Sequence, residues 1–220
     1  MVQPDKIIRS KRKSLAVSVD CFGKVIVRAP LRYPEEKIFA FLQEKESWIL
    51  KKQAIQQNNL TPIPTQNLDG FTFPLLGKNC VIRLTTDKTV RFDIESYCIF
   101  LPENKAEKRL VGWLKENALR IFTQMTIAQA EKMQTHFVSV RVGGAKSKWG
   151  SCSYDNRIQY SFRLIYAPKE VIEYVVTHEL CHIRHKNHSK FFWQEVEKYI
   201  PDFKAKRKWL KEHRILMQIF

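Results

Sequence analysis

Residues 168–182 read PKEVIEYVVTHELCH, and this stretch predicts the helix around which half of the chain is organised. Its apolar residues recur every three or four positions, as in an amphipathic helix, and Pro168 suits the first helical position. The side predicted to face a core carries Ile172, Val176 and Leu180. His178 and His182 are left to face a cleft.

The same helix contains the pattern His-Glu-x-x-His, from His178 to His182. Residues four apart lie one turn apart on the same side, so both imidazoles can reach one metal ion at about 2.1 Å. Glu179 lies about 100° further round the helix, which places its carboxylate beside the ion's water molecule. A carboxylate there can take the proton of the water and pass it to a leaving group. The pattern therefore predicts a zinc-dependent hydrolase with Glu179 as general base.

A catalytic zinc site needs a third protein ligand and one open position. His188 follows His182 by six residues, the spacing of the zincin motif His-Glu-x-x-His-x-x-Gly-x-x-His, although His185 replaces its glycine. On a straight helix His185 would lie about 10 Å along the axis from His178, so we expect it behind the ligands or at the surface. Ser189 can cap a following helix, and that turn would bring His188 back. The alternative third ligands, on the following helix, are Glu195 and Glu197.

The rest of the chain predicts an α+β protein whose first lobe, residues 1–103, is rich in β-strands. We expect an antiparallel sheet and one helix there. The predicted strands lie within a hairpin at 14–30 and near 80–86, 90–95 and 97–101, with a tight turn at Asp87-Lys88. The helix begins at Pro34 and ends near Gln57. Its predicted buried residues are Ile38, Phe41, Leu42, Trp48 and Ile49. Residues 58–70 are predicted to be a loop.

The second predicted lobe, residues 104–220, is mainly helical and has a small sheet. A long helix is predicted over 105–134, with Leu110, Leu114, Ile121, Met125 and Ala128 on its buried face. Strands are predicted at 138–142 and at 157–165, the second burying Ile158, Tyr160, Phe162 and Leu164. The His178 helix and a last basic helix from Pro201 complete this lobe. The loop at 146–153 either lines a pocket or is a turn with a buried Trp149.

The net charge of +16 points to an anionic partner such as nucleic acid, nucleotide or acidic protein. Basic residues flank the predicted ligands at Arg184, Lys186 and Lys190, and others, from Lys204 to Arg214, could contact phosphate. A solvated basic face is the alternative interpretation.

The cysteines favour a reduced, cytoplasmic setting, because no two of them form a Cys-x-x-Cys pair. They are Cys21, Cys80, Cys98, Cys152 and Cys181. Cys181 lies between two predicted ligands but points away from their side, so we expect a small core residue. No run of about 18 apolar residues is present, and residues 1–13 contain no apolar signal core, so no membrane association is predicted.

Several stretches are shared with a known family. They include Lys148-Trp149-Gly150-Ser151-Cys152-Ser153, Tyr174-Val175-Val176, His178-Glu179-Leu180, Asn187-His188-Ser189, Phe192-Trp193 and, upstream, Val27-Arg28-Ala29-Pro30 and Leu76-Gly77-Lys78. On these residues the chain resembles the YgjP-like family of metal-dependent hydrolases, related to SprT-like and other zincin metallopeptidases. The resemblance spans nearly the whole chain. It implies a zincin-like second lobe, with His178, His182 and His188 as zinc ligands and Glu179 as base.

Three functions are compared on these grounds. The first is a zinc metallopeptidase, with peptide or protein substrate held along an edge strand near 157–162. The second is a metal-dependent nucleotide phosphohydrolase (pyrophosphatase), which the positive charge suits but which usually uses carboxylates and Mg²⁺. The third is a nucleic-acid-associated protein with a protease-like domain. No residue stands out as an oxyanion donor; the candidates are Tyr199, Arg163 and Asn187.

Overall fold

The computed structural model describes residues 2–20, 22–57 and 68–220. The fold is α+β, as predicted. The chain divides into two compact units. Unit 1 comprises Met1–Thr61 with Glu212–Ile215, and unit 2 comprises Pro62–Lys211 with Leu216–Phe220. Most of the loop predicted at 58–70 lies outside the described residues.

Unit 1 contains a three-stranded sheet whose strand order is β1-β3-β2. The strands are β1 (Lys6–Ser10), β2 (Ala16–Val19) and β3 (Val25–Pro30). β2 and β3 form the predicted antiparallel hairpin, and Asp20 Oδ1 accepts hydrogen bonds from the backbone N–H groups of Phe22 and Lys24, both at 2.9 Å. β1 was not predicted and lies parallel to β3, so the expectation of a purely antiparallel sheet is wrong. A short apolar run shows strand propensity but does not identify the partner strand.

The helical part of unit 1 consists of two helices, α1 (Glu35–Glu44) and α2 (Glu46–Gln57), where one was predicted. At Lys45 the backbone has φ −96° and ψ 4°, outside the usual helical range, so the helical periodicity restarts there. Ile49 is buried, whereas Trp48 is 42% exposed instead of buried as predicted.

Unit 2 begins with a four-stranded sheet of order β4-β5-β7-β6. Its strands are β4 (Thr72–Leu75), β5 (Lys78–Thr85), β6 (Arg91–Asp93) and β7 (Cys98–Pro102). β5 and β7 pair in parallel, and β6 folds back onto the far side of β7. The prediction of an antiparallel sheet is therefore wrong in part. The segment around Asp87-Lys88 connects strands that are not neighbours, so it is not a hairpin turn.

This sheet shares its core with the long helix α3 (Ala106–Met133). The buried residues of the sheet include Phe73, Leu75, Ile82, Ile99 and Leu101, and all of them belong to the same apolar cluster as Leu110 and Leu114 of α3. The compact units therefore divide elsewhere than at the lobe boundary predicted between residues 103 and 104, because the sheet packs with the helix that follows it.

The length of α3 agrees with the predicted 105–134, but its buried face is rotated. The buried residues are Leu110, Leu114, Ala118, Phe122, Thr126, Ala130 and Met133. Ile121 and Met125 are half-buried and Ala128 is exposed. The Thr126 hydroxyl, in the middle of this line, donates to the Phe122 carbonyl at 2.6 Å and lies 3.1 Å from the Tyr160 hydroxyl. A polar residue occupies the buried line because its hydroxyl is hydrogen-bonded there.

The last sheet has the order β8-β10-β9, so β10 is its central strand. The strands are β8 (Ser139–Gly143), β9 (Gly150–Cys152) and β10 (Arg157–Ser161). The strand predicted at 157–165 is shorter than expected, because a 3-10 helix, Phe162–Tyr166, begins after Ser161. The chain continues as α4 (Lys169–Arg184), α5 (Lys190–Tyr199), α6 (Phe203–Glu212) and a 3-10 helix, Arg214–Gln218. Among the helices of the described residues, none combines the length and apolar character that crossing a membrane requires.

Candidate metal centre

Helix α4 supplies the first two histidines, and its buried side fixes their direction. Ile172, Val176 and Leu180 are buried as predicted. His178 and His182 lie one turn apart on another side of the helix, with ring centroids 5.0 Å apart. The packing of the apolar side therefore holds both imidazoles toward the same point.

The third histidine arrives through the turn between α4 and α5. His185 ends α4 with extended backbone, and the Ser189 hydroxyl accepts a hydrogen bond from the backbone N–H of Phe192 at 3.4 Å. Between these two caps the chain reverses, which brings the His188 Nε2 atom to 3.1 Å from the His178 Nε2 atom. One ligand atom from each of His178, His182 and His188 lies within 4.8 Å of the other two.

These three residues suit a tetrahedral metal ion. Ligand nitrogens at about 2.1 Å from such an ion are about 3.4 Å apart, close to the separation of the His178 and His188 nitrogens. His182 Nδ1 lies 3.0 Å from the His185 carbonyl oxygen, which leaves Nε2 facing the cluster. This backbone contact is of the kind that orients ligand histidines. His185 therefore acts through its backbone carbonyl, which holds the His182 ring in this orientation.

Burial keeps the imidazoles neutral, which is the form that binds metal. The pKa of His178 is lowered to about 3, first by burial and then by the neighbouring charges of His182, His188 and Arg207. Burial is also the main cause that lowers the pKa of His182 and of His188. The Nδ1 atom of His178 is buried without a hydrogen-bond partner.

Aromatic rings of α4 and α5 enclose the histidines. Phe192 lies 4.5 Å from His182 and 4.9 Å from His178, between ring centroids. Trp193 stacks on His188 at 5.5 Å with an interplanar angle of 26°. The ring of Tyr174, one turn before His178, is 5.8 Å from it. These rings pack against all three imidazoles and restrict their rotation, and His188 remains exposed to solvent.

Glu179 follows His178 on α4, and its side chain lies against β9. Its side chain is 5% exposed, and a Cβ atom added to Gly150 would lie 2.6 Å from the Glu179 Oε1 atom. Burial raises the pKa of Glu179 to about 8, while the charge of Lys148 and the backbone N–H of Cys152 act in the opposite direction. The segment predicted as pocket lining or a turn is thus a short strand that carries Gly150 beside this carboxylate.

The alternative ligands do not join the cluster. Glu195 Oε1 accepts a hydrogen bond from Arg184 Nη1 at 2.7 Å, and Glu197 is exposed on another face of α5. Arg184 also donates to the carbonyl of Met133, so this basic residue is directed away from the histidines.

Of the three candidate oxyanion donors, Arg163 is engaged within the fold. Arg163 is buried and donates to the carbonyls of Ile219 and Gly144. The Asn187 side chain accepts a hydrogen bond from the Ser189 backbone, and Tyr199 packs under Lys198.

Sequence reasoning missed the residues that surround the histidines in space. Tyr174 could have been found, because it lies four residues before His178 on the same helix. Trp193 and Gly150 belong to the family stretches, but no local pattern in the sequence links them to the histidines.

The model of the YgjP-like family, described as a metallopeptidase domain, matches residues 13–213. No curated protein matches the chain. Among solved structures, the metallopeptidase zymogen abylysin of Pyrococcus abyssi is 21% identical with a TM-score of 0.38. The match covers 41% of this chain and 93% of abylysin.

Proposed function

Because this chain belongs to the YgjP-like family, whose model describes a metallopeptidase domain, we propose that it is a zinc peptidase with Glu179 as its general base. Membership of the family makes the protein a metal-dependent hydrolase with a peptide or protein substrate. The identity of the metal, its ligands and the base are the proposed parts. The observation that carries them is the convergence of His178, His182 and His188, together with a buried glutamate at the position that follows His178 on α4.

The ligand set favours zinc over the hard cations. Three imidazole nitrogens without a carboxylate suit Zn²⁺, whereas Mg²⁺ and Ca²⁺ prefer oxygen ligands. When bound, a zinc ion supplies Lewis acidity and lowers the pKa of a water molecule. His178, His182 and His188 would hold it, and among the described residues neither Glu195 nor Glu197 joins this group.

Glu179 moves the proton in this proposal. Its carboxylate accepts a proton from the attacking water at one oxygen atom and returns it to the leaving amine nitrogen. Burial raises the pKa of Glu179 to about 8, which stabilises the protonated acid that serves the leaving amine. A cation held by the three histidines would lower this pKa again and so favour the carboxylate that accepts the proton. The backbone N–H of Cys152 and the missing side chain of Gly150 position this carboxylate.

The substrate is proposed to lie along β9 and not along 157–162, the segment favoured by the sequence. That segment begins with β10, which is the central strand and has both sides paired. On either side of β9, the Ser153 N–H donates to the Arg157 carbonyl and the Trp149 carbonyl accepts from the Ser161 N–H, so the odd-numbered residues from 149 to 153 face β10. The backbone groups of Gly150 and the carbonyl of Cys152 face the other edge, while the Cys152 N–H is bonded to Glu179. An extended peptide that pairs there brings its carbonyl groups close to the catalytic residues.

The comparisons do not support a nucleotide or a nucleic acid as substrate. The family model names a peptidase, and the histidine ligands are unlike the carboxylate sites of most phosphohydrolases.

Metal content tests the ligand assignment. We expect about one zinc per chain in the wild type, a large loss in His188→Ala, and no change in the matched control His136→Ala, which removes an exposed histidine outside the cluster. Full retention of zinc in His188→Ala would overturn the three-histidine site.

Cleavage of a peptide library, followed by mass spectrometry, tests the reaction. We expect cleavage by the zinc-loaded wild type and a loss of about 100-fold or more in Glu179→Gln, with zinc retained. If Glu179→Gln cuts as fast as wild type, Glu179 is not the base. If the zinc-loaded protein cuts no peptide, the peptidase proposal fails while the metal site stands.

A further inference from the structure

Three exposed basic side chains surround the candidate metal centre, and they come from three different parts of unit 2. Lys148 precedes β9, Lys186 follows α4, and Arg207 lies on α6. The Lys148 ammonium donates to the Ser151 hydroxyl of β9 at 3.0 Å, the Lys186 ammonium donates to the Asn156 side chain at 2.7 Å, and the Arg207 guanidinium lies over the Trp193 ring. Positive charge therefore lies beside β9, after the end of α4 and on the aromatic ring that stacks on His188.

Arg207 is held in place by an aromatic ring of the site. Its guanidinium lies 4.9 Å from the centre of the Trp193 ring, and Trp193 itself stacks on His188. Phe203, on the same helix, stacks on Trp193 at 5.3 Å with an interplanar angle of 18°. These contacts connect α6 to the metal centre and orient an arginine toward it. A guanidinium stacked in this way keeps its N–H groups available for a carboxylate.

None of these three charges, of Lys148, Lys186 and Arg207, is paired with a carboxylate in a salt bridge of the described residues. Two acidic residues near the site are already paired, Asp155 with Arg157 and Glu195 with Arg184. Lys148 and Lys186 donate instead to neutral oxygens, of Ser151 and of Asn156 respectively.

We infer that the enzyme selects acidic peptides, and that Arg207 is the residue that binds a substrate aspartate or glutamate near the scissile bond. This inference rests on the proposed peptidase function and adds the substrate class to it. A bidentate pair between guanidinium and carboxylate combines charge with direction, so it can place one side chain of the substrate. Lys148, beside Glu179, and Lys186 add a positive potential that favours further acidic residues.

The test compares acidic peptides with neutral isosteres. Quenched peptides containing Glu or Asp and the same peptides containing Gln or Asn are offered to zinc-loaded enzyme, and kcat/KM is measured for each. We expect the wild type to prefer the acidic member about five- to tenfold, as one partly shielded charged pair can provide. The preference should fall to about twofold or less in Arg207→Ala.

Arg207→Lys should keep part of the preference, because it retains the charge and loses the bidentate geometry. The matched control is Lys108→Ala, which removes the same charge from an exposed position near the start of α3 and should leave the preference unchanged. Binding provides a readout independent of turnover: fluorescence anisotropy with Glu179→Gln should show tighter binding of the acidic peptide, and Arg207→Ala in that background should abolish the difference.

The outcomes separate the two proposals. Equal kcat/KM values for acidic and neutral peptides would overturn the selectivity and leave the peptidase function intact. An acidic preference that decreases equally in Arg207→Ala and Lys108→Ala would assign it to the net charge of the protein and overturn the role of Arg207. If no peptide is cleaved and Glu179→Gln binds acidic and neutral peptides equally, both proposals fail.

Discussion

At the scale of single residues, the position of the Glu179 carboxylate depends on the lack of a side chain at Gly150. Gly150 faces the Glu179 carboxylate so closely that a Cβ atom would lie 2.6 Å from Oε1. We predict that Gly150→Ala displaces this carboxylate and lowers kcat/KM about 100-fold, because small misplacements of a catalytic group are costly. Zinc content should remain near the wild-type value, since the three histidines proposed to bind zinc come from α4 and the turn after it. Peptide cleavage and metal analysis on the same preparation measure both.

Gly144→Ala is the matched control for this substitution. No atom lies within 4 Å of a Cβ built on Gly144, and its backbone conformation suits other residues. Its carbonyl still accepts the hydrogen bond from Arg163. If Gly150→Ala cleaves peptides as fast as Gly144→Ala, the position of Glu179 does not depend on this contact.

The buried thiols provide a second prediction at this scale. Burial raises the pKa of Cys80 and of Cys181 from an ordinary value of 9.0 to about 12. Because the thiolate is the reactive form, both should resist alkylation by iodoacetamide at pH 8 in the folded protein and react after unfolding. The reaction in the folded state should accelerate as pH rises toward 12, since more thiolate then forms. Cys152, which is half-buried, should react before either of them.

Peptide mass spectrometry after timed alkylation follows each cysteine separately. Rapid labelling of Cys181 at pH 8 in the native state would contradict its burial behind the metal ligands.

The local part of the site could be predicted from sequence, and the part assembled in space could not. Helical spacing predicts the grouping of His178, Glu179 and His182, and the zincin spacing predicts His188. The structure brings the three histidines together, and their roles stay a prediction. Arg207 lies on a different helix, and its relation to the site depends on how Phe203 and Trp193 stack. A stack of this kind leaves no period in the sequence, so the basic residues of α6 could be predicted only as a charged face.

At the scale of secondary structure, α3 contains a glycine that its packing does not require. Gly112 lies in the helix with a helical φ, and a Cβ built on it meets no atom within 4 Å. We predict that Gly112→Ala raises the free energy of unfolding by about 0.5–1 kcal/mol, because alanine loses less backbone entropy in a helix. Urea denaturation followed by circular dichroism measures the change.

Gly77→Ala should have the opposite effect. Gly77 has φ +80° in the turn between β4 and β5, and an added Cβ would lie 2.9 Å from the Pro168 Cα atom. Both the left-handed backbone and the contact with the start of α4 disfavour a side chain, so the free energy of unfolding should fall by about 1 kcal/mol or more. A stabilised Gly77→Ala would show that this turn differs from the one described.

The elements themselves were easier to predict than their pairing. The hairpin of β2 and β3, the long α3 and the chemistry-bearing α4 all have clear periods over their full length. The parallel pairing of β1 with β3 and of β5 with β7 joins segments that are distant in sequence, and alternation does not identify such partners. The apolar pattern could not predict the change from β10 to a 3-10 helix at Phe162, because every residue from Tyr160 to Ala167 is buried in both elements.

At the scale of the whole molecule, the net charge of +16 says less about which residues bind a ligand than the placement of the individual charges does. Arg184 is directed to Glu195 and Met133, so one of the residues expected to attract substrate is used within the fold. Arg207, in contrast, is exposed and stacked beside the histidines. Which basic residues act on a ligand is therefore decided by packing, and the total charge contributes mainly to the long-range potential.

Removal of the metal should destabilise unit 2 and leave the stability of unit 1 unchanged. His178, His182 and His188 all belong to unit 2, whereas unit 1 has its own apolar core around Val25, Val27 and Ile38. A ligand that binds only the folded state stabilises it by about 2.7 kcal/mol when its free concentration is 100 times the Kd. We therefore predict that zinc slows amide hydrogen exchange in α4 and α5, and that chelation reverses the effect. Exchange in β2 and β3 should remain unchanged, because their protection comes from a core without metal ligands.

His188→Ala should show no response to zinc, while His136→Ala should respond as the wild type does. Equal protection of both units by zinc would show that they unfold together, and zinc protection that survives in His188→Ala would place the metal at other ligands.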